Sequence, residues 1–150
     1  MSPSTICEFL LAHYSGLVQL NKWGETSFFY NPGKVLPHGI YFATIKEKDG
    51  ANDKGSNLDR TEIFRFNFAV APATFGQHLG PKPKRPAAGE VINTRYDLQQ
   101  LNTLMPHPVY GWMNWVCVLN PDDACFAALK PLLDESYQLA QKKFAKRCKN

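Results

Sequence analysis

Apolar residues at helical spacing mark the two ends of the chain. The N-terminal segment has Ser2 as a helix cap ahead of a proline, and Gly16 follows it as a stop signal. A second helix begins after Asn120 and keeps one apolar face to the C-terminus, and Pro131 is expected to interrupt it. Two shorter helical segments are predicted at residues 73–79 and 97–104.

Apolar runs of strand length lie between these helices. In residues 62–70 phenylalanines at alternate positions are separated by Arg65 and Asn67, so one face of this strand packs inward and the other carries polar groups. Four more strands are predicted at residues 17–21, 26–30, 39–45 and 112–119. The pattern predicts an α+β fold: an antiparallel β-sheet of about five strands flanked by N- and C-terminal helices.

The segments that lack either period are predicted to be loops within one domain. A length of 150 residues suits a single domain, so residues 1–150 are expected to fold together. Residues 47–60 are polar and residues 80–89 are rich in proline, and both are predicted to be surface loops. Residues 142–150 form a basic tail.

Composition narrows the class of protein. Aromatic residues make up 13% of the chain, which indicates a packed core and excludes disorder for most of its length. No apolar run approaches the roughly 20 residues of a membrane span, and the first residues lack the pattern of a secretory signal. The four cysteines form no C-x-x-C pair and are predicted to be reduced, packed thiols. We therefore expect a soluble, cytoplasmic protein.

The excess of positive charge lies in the C-terminal tail. The formal net charge is +4, but without the basic residues of the tail the other 12 basic and 13 acidic residues leave −1. A fold that binds DNA usually carries a basic face on its body, so this distribution argues against that role. The candidate phosphate contacts of the DNA-binding alternative are Lys82, Lys84, Arg85, Lys142, Lys143, Lys146 and Arg147.

Motifs for catalysis, metal and phosphate binding are missing from the sequence. It contains no G-x-S-x-G, no catalytic-cysteine signature and no glycine-rich phosphate loop, and Cys117 lies between two valines as expected of a buried thiol. The four histidines are dispersed and are expected at the surface or at helix ends. We therefore expect no metal and no cofactor, and the sequence leans against an enzyme while leaving that question open.

Polar residues beside aromatic segments form the candidate ligand site: Asp59, Arg60, Arg65, His107 and Trp112. Asp59 and Arg60 either bind a ligand or pair with each other at the exit of the polar loop. Arg65 borders a groove if no helix covers its face of the strand. His107 lies in a loop stiffened by prolines, which suits a binding site and equally suits closure of the domain.

The C-terminal third carries a family resemblance. A strand at 112–118 contains Trp112 and Trp115 and leads through Pro121 into a helix with Ser-Tyr-Gln-Leu-Ala at 136–140. This resembles the MmcQ/YjbR-like proteins, small bacterial domains of the double-wing, CyaY-like type. The chain also resembles an uncharacterised bacterial family of about its own length, by the stretches 29–33, 56–60 and 105–112.

The resemblance implies an antiparallel sheet flanked by helices and a DNA-binding role, and it supplies no catalytic residue. The residues themselves favour a different function, a non-catalytic binding or interaction module for a small polar or anionic ligand or for a protein partner. DNA binding and an enzyme of unrecognised type are the two alternatives.

Overall fold

A computed structural model describes residues 1–149 and contains three helices and six strands in that range. The helices are α1 (Pro3–His13), α2 (Pro72–Leu79) and α3 (Asp123–Cys148). The strands are β1 (Leu17–Lys22), β2 (Glu25–Tyr30), β3 (Ile40–Lys46), β4 (Arg65–Ala69), β5 (Met105–Pro106) and β6 (Trp115–Leu119). Every pair of neighbouring strands is antiparallel, in the order β1-β2-β3-β4-β6-β5. The predicted α+β class is confirmed, with six strands in place of about five.

One face of the sheet packs on the helices. Phe66 and Phe68 of β4 are fully buried there, as their alternation with Arg65 and Asn67 predicts. A register shift between β2 and β3 leaves Phe42 as an extra residue of β3, and both Phe42 and Ala43 join this core. The core also contains residues from all three helices: Ile6, Leu10, Phe75, Leu79, Phe126, Leu129 and Leu133.

Loops cover the opposite face of the sheet. Leu58, from the segment between β3 and β4, packs with Met105 of β5 and with Cys117 and Leu119 of β6 in a second, smaller cluster. Both faces of the central strands are therefore buried, one by helices and the other by irregular chain. The polar residues of β4 lie beneath this loop layer.

Three sequence predictions about secondary structure are wrong. Residues 97–104 are not helical. The Gln100 N–H closes a turn on the Asp97 carbonyl oxygen at 3.0 Å, and the Asn102 N–H bonds to the Leu119 carbonyl oxygen at 2.7 Å before the chain enters the short strand β5. The predicted last strand begins three residues late, since Gly111–Met113 form a 3-10 turn. Pro131 does not interrupt α3, which runs through it because apolar residues on both sides are anchored in the core.

The two ends of the chain otherwise have the structure that the sequence predicts. Ser2 caps α1, accepting from the Thr5 N–H at 3.2 Å. The basic tail continues α3 as far as Cys148, and Asn150 lies outside the described residues. None of the helices in residues 1–149 combines the length and the apolarity that a bilayer crossing requires.

Pro131 is the residue to replace if the continuity of α3 is to be tested. Its side chain is exposed, and it deprives the helix of one backbone hydrogen bond. Proline costs a helix interior about 3 kcal/mol, of which about 1 kcal/mol is offset by its restriction of the unfolded chain. Pro131→Ala is therefore expected to raise the free energy of unfolding by about 2 kcal/mol in urea denaturation. An unchanged or lower value would contradict a continuous helix.

Candidate functional site

The guanidinium of Arg65 is buried at the centre of the loop-covered face, with 0% of the side chain exposed. Its Nε donates to Asn67 Oδ1 at 2.7 Å, and its Nη1 donates to Asp53 Oδ1 at 3.0 Å and to Ser56 Oγ at 2.9 Å. Its Nη2 donates to Asp53 Oδ2 and lies 3.2 Å from His107 Nε2. The charge is thus held by a bidentate carboxylate and surrounded by fixed polar groups.

The balance of burial and pairing keeps Arg65 charged. Burial alone lowers the pKa of Arg65, but the hydrogen bonds and negative charge of Asp53 outweigh it and raise the pKa above its ordinary value. Within residues 1–149 this is the one ion pair closer than 4.0 Å. Such a pair carries a large desolvation cost, and it is offset because Asp53, Ser56 and Asn67 accept from four of the five N–H groups of Arg65.

The loop that supplies Asp53 is fixed by its own polar contacts. Asp49 Oδ1 accepts from the Leu58 N–H at 2.8 Å, and Asp59 Oδ1 accepts from the Asp49 N–H at 3.0 Å. Gly50 and Asp53 exchange two backbone bonds at the turn between them. These contacts and the burial of Leu58 hold the carboxylate of Asp53 over β4.

His107 is positioned by the backbone that follows it. Its Nδ1 accepts from the N–H groups of Val109 at 3.1 Å and Tyr110 at 3.0 Å, so the proton of the neutral ring lies on Nε2. Burial lowers the pKa of His107 well below its ordinary value, and the positive charges of Arg65 and Lys46 lower it further. The ring is therefore neutral at physiological pH. The prediction that the histidines lie at the surface or at helix ends is wrong for His107.

A cavity of about 330 Å³ opens in front of this network. Tyr41, Tyr110 and Trp115 form an aromatic wall, and Met113 lies beside them. The rings of Tyr41 and Trp115 are 6.3 Å apart at 80°, so they face the cavity as adjoining walls and not as a stack. A concave pocket that combines aromatic rings with a few converging polar groups is typical of a small-molecule site.

The polar lining of the cavity is acidic. Glu25, Asp53, Thr44 and His107 face it, whereas the Arg65 guanidinium lies behind Asp53 and does not line it. Burial raises the pKa of Glu25, and Asp53 adds to the rise, while Lys46 and Arg65 oppose it. Burial also raises the pKa of Tyr41, with Glu25 and Tyr110 contributing. The wall that a ligand would meet carries carboxylates, aromatic faces and a neutral imidazole.

The structure brings together two of the five predicted ligand residues, Arg65 and His107. Asp59 anchors its own loop, and Arg60 donates to the carbonyl oxygens of Ser56 and Gln99 at 3.2 Å and 3.1 Å. Arg60 and Trp112 line two other surface depressions.

Sequence reasoning missed most of the pocket: Glu25, Tyr41, Asp53, Tyr110 and Trp115. A usable signal existed for Asp53, since a strand arginine flanked by phenylalanines requires a carboxylate and the polar loop just before it is the nearest source. No comparable signal marks Glu25 or Tyr41.

Other reactive groups lie away from the cavity lining. Cys117 is fully buried as predicted, and burial raises the pKa of its thiol to about 12. His13, His38 and His78 are exposed, and the first and last of them lie in the final turns of α1 and α2, as expected. In the part of the chain that the structure describes, His, Cys, Asp and Glu form no group of three able to hold a metal ion.

The neutral state of His107 has a consequence for stability. The unfolded chain protonates this histidine near the ordinary pKa of about 6.5, whereas the folded protein resists protonation until a lower pH. The neutral ring contributes its full stability above the pKa of the unfolded chain. As pH falls below that value the contribution is lost, by at most about 1.4 kcal/mol per pH unit.

Urea denaturation between about pH 7.5 and about pH 5.5 tests this linkage. The free energy of unfolding is expected to fall more steeply in the wild type than in His107→Asn, whose side-chain oxygen can still accept from the two N–H groups. His78→Asn, at an exposed helix end, is the matched control and should keep the wild-type slope. Parallel curves for the wild type and His107→Asn would contradict a neutral, buried ring.

Comparison with known proteins places the chain in a family without assigning a function. Searches of curated proteins and of solved structures give no match. The resemblance to MmcQ/YjbR-like proteins therefore stays a prediction. Residues 1–149 match the family of unknown function DUF6194, and the chain belongs to that family.

Proposed function

We propose that this protein is a non-catalytic binding module that takes a small ligand into the aromatic pocket between Tyr41, Tyr110 and Trp115. The observation that carries the proposal is a cavity of about 330 Å³ built directly over the buried ion pair of Arg65 and Asp53. Fixed polar groups behind an apolar wall are the preorganisation that small-molecule recognition requires.

Exposed apolar side chains at the mouth of the cavity support the same conclusion. Tyr41 is 54% exposed, Tyr110 49% and Met113 50%, and they lie together at one opening. A group of large apolar residues left in water at the rim of a concavity indicates a surface that is covered when a ligand binds.

The arrangement of polar groups favours binding over catalysis. His107 engages two backbone N–H groups and lies against Arg65, so its ring is not paired with a nucleophile. Cys117 is buried and its raised pKa keeps it a thiol. These contacts occupy His107 with structural hydrogen bonds and leave Cys117 unactivated, so neither supplies the base or the nucleophile of a catalytic pair.

The geometry also narrows the kind of ligand that the sequence suggested. The sequence favoured a polar or anionic ligand because of Arg65, but four of the five N–H groups of Arg65 bond to Asp53, Ser56 and Asn67, and the fifth faces His107. A ligand in the cavity would meet Asp53 before Arg65. The site therefore favours a polar ligand that is not an anion.

In residues 1–149 no feature comparable to this cavity favours the DNA-binding alternative. Arg85 stacks on the ring of Trp112 with its guanidinium carbon 4.9 Å from the ring centroid. The tail residues Lys142, Lys143, Lys146 and Arg147 lie on the exposed last turns of α3. That alternative stays a prediction from the sequence.

An NMR screen of small polar and charged compounds tests the proposed function. Compounds that bind are expected to shift the amide signals of Tyr110, Met113 and Trp115 together. Trp115→Leu should weaken the best of them about tenfold, since a ring contact of this kind contributes about 1 kcal/mol or more.

Trp23→Leu is the matched control, because Trp23 is 84% exposed at the β1–β2 turn and does not line the cavity. It should bind the same compounds as the wild type does. Compounds whose shifts map only elsewhere, or that bind Trp115→Leu unchanged, would reject the pocket as the ligand site.

A further inference from the structure

We infer that the ligand of this pocket carries an organic ammonium group, held against the rings of Tyr41, Tyr110 and Trp115 with Glu25 as its counter-charge. This inference rests on the proposed function and adds the chemical class of the ligand. The arrangement of the rings and the positions of the two carboxylates that face the cavity, Glu25 and Asp53, carry the inference.

The rings form a partial box in which several faces and edges border one space. Tyr41 meets Trp115 at a steep angle, and the His107 ring lies 5.1 Å from Tyr110 and 6.4 Å from Trp115. A cation within about 6 Å of an aromatic face is attracted by the negative potential of that face, and boxes of several rings favour alkylated ammonium groups. Met113 adds a polarizable, apolar contact beside them.

Glu25 is a carboxylate that makes no ion pair within 4.0 Å in residues 1–149. Lys46 lies directly opposite it in the register of β2 and β3, yet the two groups make no ion pair, because the only pair closer than 4.0 Å in residues 1–149 is Arg65–Asp53. The Lys46 ammonium lies instead against the turn at Gly50. Partial burial raises the pKa of Glu25, so an incoming cation would stabilise the charged form that burial disfavours.

The same lining works against anions. Glu25 and Asp53 both face the cavity, and the positive charge of Arg65 lies behind Asp53, which already accepts two of its N–H groups. A carboxylate or phosphate would meet two negative groups at close range, and four of the five N–H groups of Arg65 are already bonded within the protein. Like charges placed together at a binding site repel each other, which disfavours such ligands.

Isothermal titration calorimetry with a pair of isosteric probes tests the inference directly. Choline and 3,3-dimethyl-1-butanol have the same shape, and only choline is charged. Choline is expected to bind at least about tenfold more tightly, which is the size of a desolvated cation–aromatic contact plus one counter-charge. Inorganic phosphate is the anionic probe and is expected not to bind.

Two variants assign the effect to the site. Glu25→Gln keeps the shape of the side chain and should weaken choline about tenfold, while Glu8→Gln, exposed on α1, should leave its binding unchanged. Tyr41→Leu, at the half-exposed rim, should weaken choline and spare the neutral alcohol. Circular dichroism confirms that each variant is folded.

The outcomes separate this inference from the proposed function. If the neutral alcohol binds as tightly as choline, if phosphate binds in the cavity, or if Glu25→Gln binds choline as the wild type does, the ammonium assignment is wrong while the pocket remains a ligand site. If neither choline nor any compound of the NMR screen shifts Tyr110, Met113 and Trp115, both claims fail.

Discussion

A single buried positive charge organises one whole side of this protein. Arg65 lies in the middle of a central strand with no exposed surface, and an unpaired guanidinium there would cost several kcal/mol. Three separate parts of the chain supply its neighbours: the loop with Asp53 and Ser56, the strand residue Asn67, and His107 after β5. Because these groups must converge on one side chain, the loops that carry them cannot be displaced independently.

That constraint explains why the two faces of the sheet differ. The helix side is held by ordinary apolar packing of phenylalanines against α1 and α3. The other side is closed by irregular chain whose backbone is tied to the sheet through polar side chains and the small Leu58 cluster. The irregular chain does not cover the whole of this sheet face. The aromatic cavity lies where the covering loops do not meet. The pocket is thus a consequence of how the buried charge is enclosed.

The sequence predicted those elements that depend on residues close together along the chain. The alternation around Phe66 and Phe68 placed β4 and its inward face correctly, and Ser2 marked the start of α1. It failed at residues 97–104, where leucines at helical spacing lie in a turn and in the irregular chain after it, which is bonded to Leu119, a partner distant in sequence. The pocket combines residues from β2, β3, β6 and two loops, so only the fold brings Glu25, Tyr41 and Tyr110 together. Arg65 was recognised as unusual, but its burial reversed the expected role from ligand contact to internal support.

Amide hydrogen exchange in Asp53→Asn, compared with the wild type, tests most directly whether one buried charge holds both loops. The substitution keeps the shape of the side chain and removes the charge opposite Arg65. The expected result is faster exchange in two segments distant in sequence, 49–58 and 105–110, with α1 and α3 unchanged. Asp123→Asn, exposed at the start of α3, is the control and should alter neither segment. Faster exchange confined to 49–58, with 105–110 as protected as before, would contradict the account.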